Sequence, residues 1–98
     1  LPAPVAGASF KFIYAGAAEE AENLIIVTPG NSNFFLGNVQ HLDTNADNVG
    51  VYANGSSNSK LTLTDFGSME INIVGKDSTN YYIWGNVVSE DAPAFADQ

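Results

Sequence analysis

The chain has no cysteine and no arginine, only three lysines, one histidine, one methionine and one tryptophan. The missing cysteines exclude disulfides and leave the redox compartment open, because a thiol-free protein suits either side of a membrane. Three lysines against eleven acids give a net charge of −8 and a pI near 4.1. No basic surface can form to displace phosphate counterions, so neither nucleic acid nor an anionic membrane is expected as a partner. No apolar run approaches the ~20 residues of a membrane-spanning helix, and no secretory leader is visible. Opening on Leu1 rather than methionine, the sequence reads as a processed or truncated product.

What is present is apolar and amide-rich. Hydrophobic residues make up 45% and charged residues 14% of the 98, too apolar a balance for disorder. Asparagine, serine, threonine and glycine supply most of the remaining polarity. This length makes one domain, 1–98, able to fold alone but with little margin. Without disulfides, oligomerisation is the natural extra source of stability.

Period-two alternation recurs along the chain. Phe10, Phe12 and Tyr14 share one side of a strand; Ser9, Lys11 and Ile13 share the other. Leu24 to Thr28 is a short β-branched run, read as a buried strand. Phe34 to Val39 is the next, with Gly37 a bulge or a point of close approach. Val49 to Ala53, Lys60 to Thr64 and Met69 to Val74 follow, with Leu61 and Leu63, then Met69, Ile71 and Ile73, facing inward. Asn80 to Val88 closes the set. Ala15 to Asn23 carries Glu19, Glu20 and Glu22 among alanines and is too short for an independent helix; it reads as a solvated loop or a single turn. Turn signals between the strands give an all-β fold, a compact β-sandwich or jelly-roll-like barrel of about seven to eight mostly antiparallel short strands.

No catalytic constellation emerges. Asp43, Asn45 and Asp47 place oxygens at alternate positions, as a calcium loop begins. Such a loop needs glycine at its sixth position and glutamate at its twelfth, where this chain has Asn48 and Asn54, so a solvated Asx turn is the better reading. His41, placed in a loop at a strand end, cannot build a zinc site without several converging carboxylates. Paired carboxylates for glycoside cleavage would have to come from separate loops, through Asp43, Asp47 and Asp65. Asn54-Gly55-Ser56 matches a glycosylation acceptor, but Asn-Gly is also a hairpin turn. Alternation puts Tyr82 and Trp84 on one side of the last strand and Tyr81 with Ile83 on the other. One set must fill the core, and the sequence favours core or subunit interface over a sugar-stacking face for these aromatics. The expected core comprises Phe10, Phe12, Leu24, Ile26, Leu61, Leu63, Ile71, Ile73 and Trp84.

Several segments together resemble bacteriophage virion proteins. The opening Leu1-Pro2-Ala3-Pro4-Val5-Ala6-Gly7 leads into Phe10-Lys11-Phe12-Ile13, like the "LPA…G" element before an "F.FI" strand. Leu24-Ile25-Ile26-Val27-Thr28 and Phe34-Phe35-Leu36-Gly37-Asn38-Val39 follow in the same order, and Tyr81-Tyr82-Ile83-Trp84-Gly85 and Ala94-Phe95-Ala96-Asp97 resemble the closing strand and ending. The chain departs by lacking the strand that usually precedes "LPA". The resemblance implies a structural role, commonly as a trimer, in capsid decoration (cement) or in a head or tail fibre, with no catalytic residues and no cofactor.

The expected function is therefore non-catalytic: a decoration protein binding the outer shell of a virion. Its partners would be the major capsid protein or neighbouring virion subunits, and it would form a homotrimer at the capsid surface. The proline-marked ends, Leu1 to Ala8 and Ser89 to Gln98, are expected to be poor in regular structure and to reach neighbouring subunits, with Leu1, Pro2, Pro4, Pro93 and Phe95 as interface candidates. The alternative is a receptor- or glycan-binding module of a fibre or a secreted adhesin, using the loops Asp43 to Asn48 and Asn54 to Ser59.

Overall fold

A computed structural model describes residues 1–16 and 21–98. Eight strands follow one another: β1 (Ser9–Ala15), β2 (Leu24–Val27), β3 (Phe34–Asp43), β4 (Val49–Asn54), β5 (Lys60–Leu63), β6 (Phe66–Gly75), β7 (Asn80–Ser89) and β8 (Ala94–Ala96). They form a five-stranded sheet, ordered β1-β6-β7-β3-β4, and a three-stranded sheet, ordered β2-β5-β8. All pairings are antiparallel except β3 with β7, which run parallel. The fold is an all-β sandwich. Of the segment Ala15 to Asn23, read as a solvated loop or a single turn, residues 17–20 lie outside the described residues, and Ala21 and Glu22 form a bend.

Alternation explains which faces meet. On β1, Phe10, Phe12 and Tyr14 turn towards the core while Ser9, Lys11 and Ile13 stay exposed. On β6, Met69, Ile71 and Ile73 are buried. The smaller sheet contributes Ile26, Leu61 and Leu63. Phe35 joins the two sheets, its ring centroid 6.2 Å from Tyr81 in its own sheet and 6.2 Å from Phe95 in the other. Aromatic side chains carry the largest apolar area in so small a core.

Five features differ from the sequence reading. Trp84 is 49% exposed and does not belong to the core; Tyr81 and Ile83 take the inward side of β7. Tyr81 packs against Phe10 and Phe35, so the inward register is the one that meets other aromatics. β3 continues past Val39 to Asp43, because β7 offers a parallel partner along that whole length. His41 consequently lies buried within a strand rather than in a loop. The Asn54-Gly55 turn does not close a hairpin: β4 and β5 belong to different sheets, and the turn carries the chain between them. Phe66 to Ser68 belongs to β6 rather than to a turn, with a bulge opposite β7.

Two glycines permit the central pairing. Gly37 (φ 138°) and Gly85 (φ 150°) adopt backbone conformations that side chains disfavour. A Cβ at Gly37 would lie 2.1 Å from the Ile83 carbonyl oxygen, and one at Gly85 would lie 2.0 Å from that of Glu70. Gly37→Ala and Gly85→Ala should each lower stability by about 2–4 kcal/mol, because strained φ and backbone overlap act together. Urea denaturation measures this, with Gly30→Ala, whose Cβ meets open space, as the near-neutral control.

The β6–β7 hairpin is closed by Asp77. Its Oδ1 accepts the backbone N–H groups of Thr79 (2.8 Å) and Asn80 (2.9 Å), and its Oδ2 meets the Lys76 ammonium at 3.0 Å. The Asn80 and Thr79 amides and then Lys76 lower the carboxyl pKa from 3.8 to about 2. A depressed folded pKa stabilises the fold above the unfolded value, and that stabilisation is lost as pH falls through the folded value. The stability gap between the native chain and Asp77→Ala should therefore be full above 3.8 and close as pH falls to about 2. Urea midpoints measured across that range test it.

Candidate binding surface

The outer face of the five-stranded sheet is built by the residues that alternation turns away from the core. Register aligns them into rows across the strands. One row runs Lys11, Asn72, Trp84, Asn38, Tyr52 from β1 to β4. Beside it run Ser9, Val74, Tyr82, Leu36, Asn54 and, on the other side, Ile13, Glu70, Asn86, Gln40, Gly50. Trp84, Tyr52 and Tyr82 are 49%, 75% and 42% exposed.

Charge on this face is confined to one margin. Lys11 Nζ lies 3.6 Å from Glu70 Oε1, and Asn72 Nδ2 donates to the same oxygen at 3.3 Å. Across β7, β3 and β4 the three rows hold only aromatic, amide, aliphatic and glycine residues. Among the described residues, the amides of Asn38, Gln40 and Asn86 make no side-chain hydrogen bond within the chain; Gln40 and Asn86 are exposed and Asn38 is half-buried. A neutral patch is notable on a chain of net charge −8.

The acids gather elsewhere. Strand register places Asp43 at the end of β3, and Asp47, Asp65, Glu90 and Asp91 in the loops beyond it, at the end of the sandwich where β3, β4, β6 and β7 turn. Asp43 Oδ1 accepts the Asn45 N–H at 2.8 Å, an Asx turn. Among the described residues, no group of three His, Asp or Glu side chains is arranged to hold a metal ion. His41 Nε2 donates to the Ser89 carbonyl at 3.0 Å, while its Nδ1 lies 3.9 Å from Asp43 Oδ2. With that bond, His41 braces β3 against the end of β7. Asn54 Oδ1 accepts the N–H groups of Ser56 and Ser57, both at 2.9 Å, so the Asn54 amide caps its own turn.

The interface candidates at the two ends are for the most part committed to the domain itself. The Leu1 ammonium donates to the Val27 carbonyl at 2.9 Å, and its side chain packs on the core. Pro4 is buried. Pro2 is exposed, but its carbonyl accepts the Tyr81 hydroxyl. Pro93 is buried, and Phe95 lies in β8 against Phe35. Gln98 Nε2 donates to the Thr28 carbonyl at 2.9 Å, and the Gln98 N–H reaches Ser59 Oγ, also at 2.9 Å. The expectation of end segments poor in regular structure fails at the C-terminus, where Ala94–Ala96 pairs with β5. The physical reason is the narrow three-stranded sheet: without β8, Leu61 and Phe35 would lose their cover. The same packing makes removal of the C-terminal segment a structural lesion rather than the loss of a free arm.

Comparison with known proteins finds no matching family, no similar curated protein and no similar solved structure. Exposed aromatics on the sheet face were legible as one of two alternating sets; the amide rows from β3 were not, because their alignment with Trp84 depends on the parallel β3–β7 pairing.

Truncation after Pro93 should lower stability by about 3 kcal/mol or more, the order expected for losing a core phenylalanine together with bonds to buried Thr28. Thermal and urea unfolding measure it, with Phe95→Ala giving the packing share.

Proposed function

We propose that this chain is a non-catalytic structural domain of a bacteriophage virion, acting as a capsid decoration protein. One observation carries the reading. The resembling segments, taken in order, fall on five strands of a single sandwich: Phe10-Lys11-Phe12-Ile13 on β1, Leu24 to Val27 on β2, Phe34 to Val39 on β3, Tyr81 to Gly85 on β7 and Ala94 to Ala96 on β8. That order along the chain is the order of the resemblance, and it supports the reading.

Physical features support the role without being specific to it. A shell-bound domain must hold its shape in a crowded, exposed setting. Here both ends are bonded beside the end of β2, Leu1 to Val27 and Gln98 to Thr28, which suppresses fraying. Strong net acidity keeps such a protein soluble until it docks. The free edges, β1 and β4 of the larger sheet and β2 and β8 of the smaller, are covered on this reading by a trimer partner or by the shell.

The test is to locate the chain on particles. Antibody raised against the purified domain should label the heads of density-purified phage particles from the source material. Light scattering of the purified domain should give about three times 10.3 kDa, the mass of a homotrimer. Finding the chain only in the particle-free fraction would overturn the assignment.

A further inference from the structure

Among the described residues, the outer face of the five-stranded sheet carries aromatic and amide side chains that the packing does not use. We infer that it is a binding site for a neutral, extended oligosaccharide, lying along the row Trp84, Asn38, Tyr52. The inference is independent of the decoration role, since a shell-bound domain and a free one would carry the same face.

Four observations point to this ligand. Trp84 and Tyr52 are exposed, on the same face, and in register with Asn38 between them. Their strands, β7 and β4, are separated by β3 alone, so the two backbones stand two strand spacings apart, about 9.6 Å, and the Tyr52 ring lies along its strand over Gly50. Two exposed rings carried on strands so separated can contact different residues of an extended β-linked sugar chain, whose apolar C–H faces stack on the electron-rich faces of aromatic rings. The amides of Asn38, Gln40 and Asn86, free of side-chain bonds within the chain, offer both donors and acceptors between and beside the rings, as hydroxyl groups require. Finally, the patch is uncharged across β7, β3 and β4 although the chain carries eleven acids, so a neutral ligand meets no repulsion there.

A second copy of the chain fits this face less well. Pairing two such faces would bury the central Asn38 and its neighbouring amides against aromatic rings, and a buried amide without a partner is costly. Sugar hydroxyls satisfy those amides, and water does so when the ligand is absent. Nor do the loops Asp43 to Asn48 and Asn54 to Ser59 serve better: Asp43 and Asn54 spend their side-chain oxygens on their own turns.

Trp84 is the sole tryptophan, so its fluorescence reports directly on the face. The experiment titrates the purified full chain with cellohexaose and mannohexaose, both extended β-linked chains, and with maltohexaose, a coiled α-linked chain. The expected result is a saturable change in emission with an extended hexaose, insensitive to added salt and stronger than with maltohexaose. Calorimetry should show Trp84→Ala and Tyr52→Ala each weakening the binding roughly tenfold or more, the loss of one stacked ring. Asn38→Ala should weaken it as well. All three side chains point outward, and circular dichroism and unfolding midpoints would confirm that the variants are folded. No response to any of the three sugars overturns the proposal, as does binding that survives in Trp84→Ala. Self-association abolished by Trp84→Ala, with no sugar response, would instead make the face a homotypic interface and equally overturn it. None of these outcomes bears on whether antibody finds the chain on particles, so the two readings fail separately.

Discussion

The parallel pairing of β3 with β7 is the constraint on which the rest of this structure depends. Ten residue pairs lie in register, from Phe34 with Asn80 to Asp43 with Ser89. The strands are distant in sequence, so loop-closure entropy must be spent before their contacts stabilise anything. Once formed, the pair sets both faces of the sheet at once. Inward, it brings Phe35 beside Tyr81 and buries Val39, Ile83 and Val87. Outward, it brings Asn38 beside Trp84. The hairpins to β4 and β6 then extend the same register to both sides.

That pairing tolerates no Cβ at Gly37, which would overlap the Ile83 carbonyl, and the neighbouring β6–β7 pairing tolerates none at Gly85, which would overlap that of Glu70. The two glycines bracket the Asn38–Trp84 pair, Gly37 opposite Ile83 and Val39 opposite Gly85. Both point inward, where Ile83 and Val39 are already buried. The inward side of the sheet is therefore thinned at the place where the outward side carries its largest ring. The core compensates with aromatic residues above and below, Phe35 and Tyr81 towards one end and Phe66 with Tyr14 towards the other, their centroids 5.2 Å apart in an edge-to-face pair.

How much of this could be read from residues alone follows from where polarity alternates. β1, β5 and β6 alternate polar with apolar residues over most of their length, so Phe12, Leu61 and Ile71 declare their side. β7 does not: Tyr81, Tyr82, Ile83 and Trp84 are apolar on both sides, and composition cannot choose between them. Tyr81 goes inward because Phe10 and Phe35 are there to meet it, and that is tertiary information. β8 has three residues, too few to show a period, and its place is fixed by β5. His41 and the end of β3 were lost for a related reason. Gln40, His41 and Asp43 read as a polar loop, yet the strand continues because β7 supplies backbone partners and the Ser89 carbonyl satisfies the imidazole. The outer rows were illegible in kind, since residues from three strands align only after a parallel register is known.

The exposed aromatics therefore call for an explanation that stability does not supply. Tyr52 is largely exposed and Trp84 about half exposed, and placing Trp84 inward with Tyr81 outward would require the whole of β7 to slip by one residue. That slip would turn Val87 out of the core and Asn86 into it, which the fold cannot accept. The register is thus fixed by other residues, and position 84 is left free to be polar at no structural cost. The same holds at position 52, opposite Asn38 on an edge strand, where a charged residue would better protect the edge from unwanted pairing. Both positions hold large rings instead, with open amides between and beside them. A domain that stabilises itself through Phe35, Tyr81 and its bonded ends gains little from rings in water, and that is the physical ground on which a ligand for this face is proposed.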